Sequence, residues 1–176
     1  PPWNPEQRLA WEAQVGEWST LDFTGLPSEE RIPEDLYAAE FGVTLTNGLI
    51  FSYTFESGFP LDGQGFAASQ GSAGSSVDVV FDTPVHAFAV DFPGEILLTL
   101  FSEEGEEIFT GAFGGGGAGR FAGLISDEPF DRVRVWDTDP FLVDDLRFGM
   151  VVPGPATALV LLPGLGLLGG RRRSGR

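Results

Sequence analysis

The chain of 176 residues contains no cysteine, no lysine and a single histidine. The absence of cysteine excludes a disulfide framework and a thiolate zinc site. His86 has no second histidine or cysteine with which to form the usual zinc ligand set. Serine catalysis would depend on His86, yet the sequence has no Gly-x-Ser-x-Gly elbow. We therefore predict that His86 is a partly exposed strand residue with no catalytic role.

Positive charge is scarce. Four of the ten arginines lie in the last six positions, which leaves six arginines against 26 acidic residues in the rest of the chain. Phosphate binding depends on Lys and Arg, so the sequence predicts that nucleic acid is not a partner. An acidic surface of this kind keeps an exported protein soluble and attracts divalent cations. The length before the tail suits one domain with a hydrophobic core.

Two further groups of residues could suggest an enzyme. A retaining glycosidase needs two carboxylates about 5 Å apart on one face, whereas Glu103, Glu104, Glu106 and Glu107 surround a predicted turn. The glycine run 114–117 lacks the Lys-Ser or Lys-Thr of a P-loop and leads into no helix, so it indicates a hairpin loop. We predict that the protein is not an enzyme.

One helix is predicted near the start of the chain, over residues 4–15. Asn4 is a good N-cap, Pro5 suits the first helical position, and Gly16 can close the C-terminus. The predicted apolar side comprises Leu9, Val15 and either Trp11 or Trp18.

Short β-type runs separated by Gly, Pro, Asp and Ser follow the helix. They predict strands at 18–23, 42–46, 49–55, 65–68, 76–81, 85–92, 95–101, 107–111, 120–126, 131–136 and 141–148. Thr46-Asn47-Gly48-Leu49 has the Asn-Gly signature of a type I′ hairpin, and residues 103–106 form a polar turn between apolar strands. So many short strands predict an all-β domain over residues 1–149, built as a two-sheet antiparallel sandwich.

The last part of the sequence has a different character. No charged side chain lies between Phe148 and Arg171. A helix that spans a membrane needs about 20 apolar residues, which residues 150–170 barely supply because they include three prolines. The arginines of 171–176 would stay on the cytoplasmic side. This pattern predicts a transmembrane helix over about 156–170. The alternative is a buried C-terminal helix, which should be amphipathic.

This tail resembles the PEP-CTERM sorting signal of exported Gram-negative proteins. The matching residues are Val152, Pro153, Gly154, Pro155, Ala156 and Thr157, the apolar run 159–170, and Arg171, Arg172 and Arg173. Gly154 stands where the family has glutamate. The resemblance implies that residues 150–176 anchor the chain transiently in the inner membrane. An exosortase-like transpeptidase would then process it and release it to the cell surface or outside the cell. Export requires a leader, and because the sequence opens with Pro1-Pro2-Trp3 and no Met, we expect the leader to precede these residues.

The body also resembles exported β-sandwich proteins of that group, through short motifs at 21–26, 79–88, 121–126 and 143–148. The Asp-Asp-Leu-x-Phe ending at 144–148 is similar to the last strand of jelly-roll carbohydrate-binding modules. In those modules one aspartate helps to hold a structural calcium ion beside the first strand. The resemblance therefore implies a jelly-roll sandwich.

That calcium site would use Asp144 and Asp22. Strand alternation predicts that Asp144 shares a face with Leu146 and Phe148 and that Asp145 lies on the other face. A buried Asp144 needs a partner, and a calcium ion held with Asp22 and backbone carbonyls would supply one. Thr24 stands where the related pattern often has glutamate. The alternative is that Asp144 accepts backbone N–H bonds from a neighbouring loop. Apart from this ion, we expect no cofactor.

Two functions remain open for the body. The first is a surface or matrix protein that adheres within an exopolysaccharide layer. The second is a lectin-like glycan-binding module with aromatic side chains as its platform. Trp136 faces away from Val133 and Val135 by alternation and is the main candidate, and Tyr53 is a second. Trp136 could instead pack at the core or edge of the sandwich. A secreted glycan-active hydrolase is a third interpretation.

Overall fold

The computed structural model describes residues 5–27, 29–46, 50–54, 64–68, 75–114, 120–138 and 141–150. These residues form two helices and nine strands: α1 Pro5–Val15, β1 Glu17–Leu21, α2 Ala38–Phe41, β2 Val43–Thr46, β3 Ile50–Thr54, β4 Gln64–Ala68, β5 Ser75–Phe92, β6 Glu95–Phe101, β7 Glu107–Gly114, β8 Arg120–Asp137 and β9 Phe141–Met150. Every pairing between these strands is antiparallel. The prediction of a mostly β, antiparallel fold with a short N-terminal helix is confirmed.

The C-terminal signal lies outside the described residues, because the structure describes the chain only as far as Met150. Its transmembrane helix and sorting motif stay predictions. Across the described ranges, no helix combines the length and the apolar character that a membrane span needs.

The strands pair in the order β3-β4-β9-β5-β8-β6-β7, with β1 added to β9 and β2 added to β5. Two predicted breaks are wrong, because β5 and β8 are each a single strand of 18 residues. The Asp-Thr-Pro sequence at 82–84 and the Asp-Glu-Pro sequence at 127–129 lie between the predicted strands, and the pairing of β5 with β8 is irregular there. The register between β5 and β8 shifts between Val80 and Val85 and again between Val85 and Ala87. A bulge inserts residues into a ladder without ending the strand.

The bulged region changes which side of β5 faces the core. Val79 and Phe81 are core residues before the shift, whereas Phe88 and Val90 are core residues after it. The Phe81 ring centroid lies 6.5 Å from that of Phe88 and 5.1 Å from that of Phe148. Both halves of the long strand therefore contribute to one aromatic-rich core.

Helix α1 covers the opposite side of the sheet. Trp11 and Val15 form a second buried cluster with Ala87, Ala89 and Phe121, and the indole Nε1 of Trp11 donates a hydrogen bond to the Leu124 carbonyl at 3.1 Å. Leu9, which was predicted on the apolar side of the helix, is instead 63% exposed. The helix ends at Gly16, whose φ of 75° is the left-handed conformation that glycine adopts readily.

The predicted Asn-Gly turn falls on residues 47–49, which lie outside the described residues, so it stays a prediction. Of the strands on either side, β2 pairs with β5 and β3 pairs with β4. The four-residue helix α2 was not predicted, and it ends at Gly42 with φ 64°.

Candidate functional site

One face of the sheet, formed by β5, β8, β6 and β7, carries aromatic, hydroxyl and charged side chains. On β8, Val133 and Val135 are fully buried in the core, whereas Arg132, Arg134 and Trp136 alternate with them and are half-buried. We name the surface opposite the core the Trp136 face. Its members are Ser76, Asp78, Thr99, Phe101, Glu107, Thr110, Arg132, Arg134 and Trp136.

Strand register explains why these side chains meet. Trp136 lies opposite Ser76 on β5 and Leu97 on β6. Two residues earlier, Arg134 lies opposite Asp78 and Thr99. Directly opposed residues of antiparallel strands have their side chains in contact on one face. The Arg-x-Arg-x-Trp pattern of β8 is thereby flanked by polar and aromatic groups from both neighbouring strands.

The Trp136 face contains a concavity of about 420 Å³, lined by Ser76, Thr99, Phe101, Glu107, Thr110, Arg134 and Trp136. The indole Nε1 of Trp136 donates to Thr99 Oγ1 at 3.2 Å, and Thr110 Oγ1 donates to the same oxygen at 2.9 Å. These two hydrogen bonds fix the orientation of the indole, and the Trp136 side chain stays partly exposed. An aromatic ring with a few placed polar groups is a common composition for a ligand site.

Charged groups form the second part of the face. Arg134 donates from Nε to Asp78 Oδ1 at 2.7 Å and from Nη2 to Asp78 Oδ2 at 2.9 Å. The hydrogen bond to Asp78 raises the pKa of Arg134, and burial opposes the increase. The guanidinium carbon of Arg132 lies 4.1 Å from the Phe101 ring centroid, and that of Arg134 lies 5.4 Å from it. Both cations therefore share one aromatic ring.

A larger concavity of about 640 Å³ lies elsewhere, beside Trp18, Phe81, Pro84, Phe148 and Met150. Its lining is mostly apolar and ends at the last described residue. We favour the Trp136 face because hydrogen-bonding and charged groups converge there on an aromatic plane.

Sequence reasoning identified Trp136 and its outward orientation. It missed Arg132, Arg134 and Thr99, although alternation with Val133 and Val135 would have placed both arginines beside the indole. Tyr53 belongs to β3, and its side chain is outside the described part of the structure. Its proposed role stays a prediction.

The two predicted calcium ligands have backbone partners. Asp22 follows β1 rather than lying in it, is exposed, and accepts a hydrogen bond from Thr24 N at 3.2 Å. Asp144 is 1% exposed and accepts one from Asp145 N at 2.8 Å. The latter contact comes from the next residue of β9 and not, as the hydrogen-bonding alternative expected, from a neighbouring loop. In the described ranges no group of three or more acidic or histidine side chains is arranged to hold a metal ion. Calcium binding stays a prediction.

The predicted face of Asp144 is wrong. Val143 and Leu146 both belong to the core, because the pairing of β9 with β5 shifts between Ala89 and Asp91 and Asp145 adopts φ 47°. A bulged residue interrupts the two-residue alternation. Asp144 is paired with Asp91, on the side of the sheet away from Leu146 and Phe148.

An ion network under α1 was not predicted from the sequence. Asp91 accepts hydrogen bonds from Arg147 Nη1 at 2.8 Å and from Arg8 Nη2 at 2.6 Å. Arg147 Nη2 also donates to Asp145 Oδ2 at 2.5 Å. The partners come from α1, β5 and β9, so no local motif contains them.

The remaining candidates, His86 and the glutamates around residues 103–107, lie away from the Trp136 face, apart from Glu107. His86 is half-buried, and its Nδ1 lies 3.0 Å from the Ser126 carbonyl oxygen. Glu103 and Glu104 are exposed in a turn closed by the Ser102 N to Glu106 O hydrogen bond at 2.9 Å. The turn prediction is confirmed.

Comparisons with known proteins found distant structural likenesses. No family model and no curated protein sequence matches the chain. A mutant of a family 29 carbohydrate-binding module is 12% identical, with a TM-score of 0.49, covering 77% of this chain and 93% of that one. A second mutant, in complex with cellulohexaose, is 15% identical, with a TM-score of 0.42, covering 76% and 92%. The enzymatically active domain of bacteriophage CBA120 tailspike protein 4 is 11% identical, with a TM-score of 0.38, covering 62% and 19%.

These likenesses are too remote to assign a family. Fold and site define the chain as an antiparallel β protein with an aromatic and arginine-bearing face.

Proposed function

We propose that the body is a non-catalytic glycan-binding module, a jelly-roll β-sandwich that binds polysaccharide on the Trp136 face. The observation that carries the proposal is the partly exposed Trp136, whose indole is held by Thr99 in the lining of the 420 Å³ concavity. Aromatic rings provide a rigid apolar plane for the C–H face of a sugar. The surrounding hydroxyl, carboxylate and guanidinium groups can pair with sugar hydroxyls.

The shape of the face favours a chain of sugars over a single one. Arg132 and Trp136 are four residues apart on β8, which corresponds to about 13 Å along a strand. Polar groups continue across β5, β8, β6 and β7, so the face is open rather than enclosed. An extended ligand could contact both ends of it.

The same lining argues against hydrolysis. Among the described residues that line the concavity, only Glu107 carries a carboxylate. The nearby Asp78 forms an ion pair with Arg134. Glycoside hydrolysis ordinarily uses a pair of carboxylates that flank the scissile bond. Binding without turnover is the function that this chemistry supports.

Calorimetry against soluble glucans, mannans and polyuronates tests the proposal. We expect Trp136→Ala to weaken binding at least about tenfold, because stacking on an aromatic ring and its desolvation are worth more than 1 kcal/mol. Trp18→Ala is the matched control, since Trp18 is also exposed but lies away from this face. The proposal fails if no polysaccharide binds, or if the two variants lose affinity equally.

We further propose that the protein is exported and sorted by an exosortase-like system, and that its module associates with matrix polysaccharide at the cell surface. The order of Pro-Gly-Pro, apolar run and arginines in residues 153–173 supports this step. With a leader supplied, the product released by a host that has the enzyme should lack Arg171, Arg172 and Arg173 in intact-mass analysis. A host without the enzyme is the control, and a released product that still carries the arginines contradicts the proposal.

A further inference from the structure

We infer that the ligand of the Trp136 face is an acidic polysaccharide whose carboxylates bind Arg132; this inference rests on the proposed glycan-binding function. Two features place Arg132 for such a contact. Its guanidinium lies over the Phe101 ring, and the N–H groups of that guanidinium make no hydrogen bond within the described residues. Its guanidinium lies 4.1 Å from the Phe101 ring centroid, and its side chain is 31% exposed. The guanidinium is therefore held over an aromatic ring while part of the side chain remains accessible to a ligand.

The neighbouring carboxylate, Asp78, is paired with Arg134 and not with Arg132. Both oxygens of Asp78 accept hydrogen bonds from Arg134, at 2.7 and 2.9 Å. Arg132 Nη1 lies 4.0 Å from Asp78 Oδ2, beyond hydrogen-bond distance. The guanidinium of Arg132 donates no hydrogen bond within the part of the chain that the structure describes. A guanidinium presents a fork of donors that matches a carboxylate in bidentate fashion.

The distribution of charge supports an anionic ligand. The chain has a formal net charge of −16 and only six arginines before its C-terminal cluster. Two of those six, Arg132 and Arg134, are neighbours on one face and share the Phe101 ring. Asp78 and Glu107 also belong to this face, but Asp78 is paired with Arg134, and β6 lies between Glu107 on β7 and Arg132 on β8. Salt screens more distant charges beyond about 8 Å at physiological ionic strength. Arg132 is therefore the cation of this face that is available to an anionic ligand.

The test compares ligands that share a backbone and differ only in charge. Polygalacturonate carries free carboxylates, and its methyl ester does not. We expect the free acid to bind about tenfold more tightly, as one charge-assisted hydrogen-bonded pair would give. The difference should shrink as salt rises.

Variants assign that preference to a residue. Arg132→Gln should remove the preference for the acid, whereas Arg31→Gln, which makes the same charge change at an exposed site before α2, should keep it. Arg132→Lys retains the charge and loses the fork, so it should keep only part of the preference. Thermal unfolding verifies that each variant is folded, and Arg132→Lys replaces Arg132→Gln if the latter is not.

The outcomes separate this inference from the proposed function. Equal binding to the acid and the ester, or an unchanged preference in the Arg132 variants, overturns the inference and leaves glycan binding intact. Preference for dextran sulfate over dextran, without preference for polygalacturonate over its ester, overturns the carboxylate assignment in favour of sulfated sugars. Failure to bind these polymers together with the glucans and mannans of the first test overturns the proposed function itself.

Discussion

Arg147 on β9 donates to Asp91 on β5 across 2.8 Å, and the two side chains are 7% and 3% exposed. Arg8 of helix α1 binds the same carboxylate from above. Through Arg8, the pair therefore connects α1 to β5 and β9. Because each buried charge has a partner of opposite sign, the desolvation cost of one is offset only while the other is present.

Removing the Asp91 carboxylate should show how far the stability of the protein depends on this ion pair. We expect Asp91→Asn to lower the free energy of unfolding by about 3 kcal/mol, because the buried Arg147 would lose one of its two carboxylate partners and keep only Asp145. Arg8→Gln should cost about 1 kcal/mol, since the Arg8 side chain is 29% exposed and can be hydrated. Urea denaturation measures both, and equal losses for the two variants would contradict a buried role for Arg147.

A second prediction concerns the contact between α1 and β8. A Cβ atom added at Gly123 would lie 2.6 Å from Trp11 Cδ1 and 2.7 Å from Phe121 Cε1. The indole cannot move freely, because it donates to the Leu124 carbonyl at 3.1 Å. We expect Gly123→Ala to cost about 1 to 3 kcal/mol by overpacking. In a Trp11→Ala background the same substitution should cost less, because only the Phe121 ring would still crowd the added Cβ atom. A double-mutant cycle without coupling would refute the contact with Trp11.

Tyr37 provides a prediction on pH. Burial raises the pKa of its phenol to about 12, and the charge of Asp22 adds to the increase. An unfolded tyrosine titrates near pH 10, so the folded state binds the proton more tightly. This contribution to stability is full below about pH 10 and is lost as pH rises toward 12.

Phenolate absorbance measured in a Tyr53→Phe protein isolates Tyr37, since the chain has two tyrosines. Asp22→Asn should lower the pKa of Tyr37 only in part, because burial is the larger cause. An ordinary tyrosine pKa in the Tyr53→Phe protein would show that the phenol is not buried as described.

Regular alternation allowed part of this molecule to be predicted. Val133, Val135 and Trp136 lie on the predicted sides because the pairing of this part of β8 with β6 has no register shift. The same rule failed at Asp144 because a bulge at Asp145 inserts a residue that no propensity marks. The network of Arg8, Asp91 and Arg147 could not be predicted, since its members meet only after distant strands pair.

The proposed calcium ion between the first and last strands gives a further testable prediction. If Asp22 and Asp144 hold the ion, calcium at 100 times its dissociation constant should stabilise the folded state by about 2.7 kcal/mol and raise the melting temperature. Asp144→Asn should abolish that increase. Asp127→Asn is a suitable control because Asp127 is exposed, whereas Asp145→Asn is not, since Asp145 binds Arg147. Equal melting temperatures in calcium and in chelator would contradict the ion. Asp144→Asn should then destabilise the protein equally in both solutions, because the contribution of its carboxylate, which accepts a hydrogen bond from Asp145 N, would not depend on calcium.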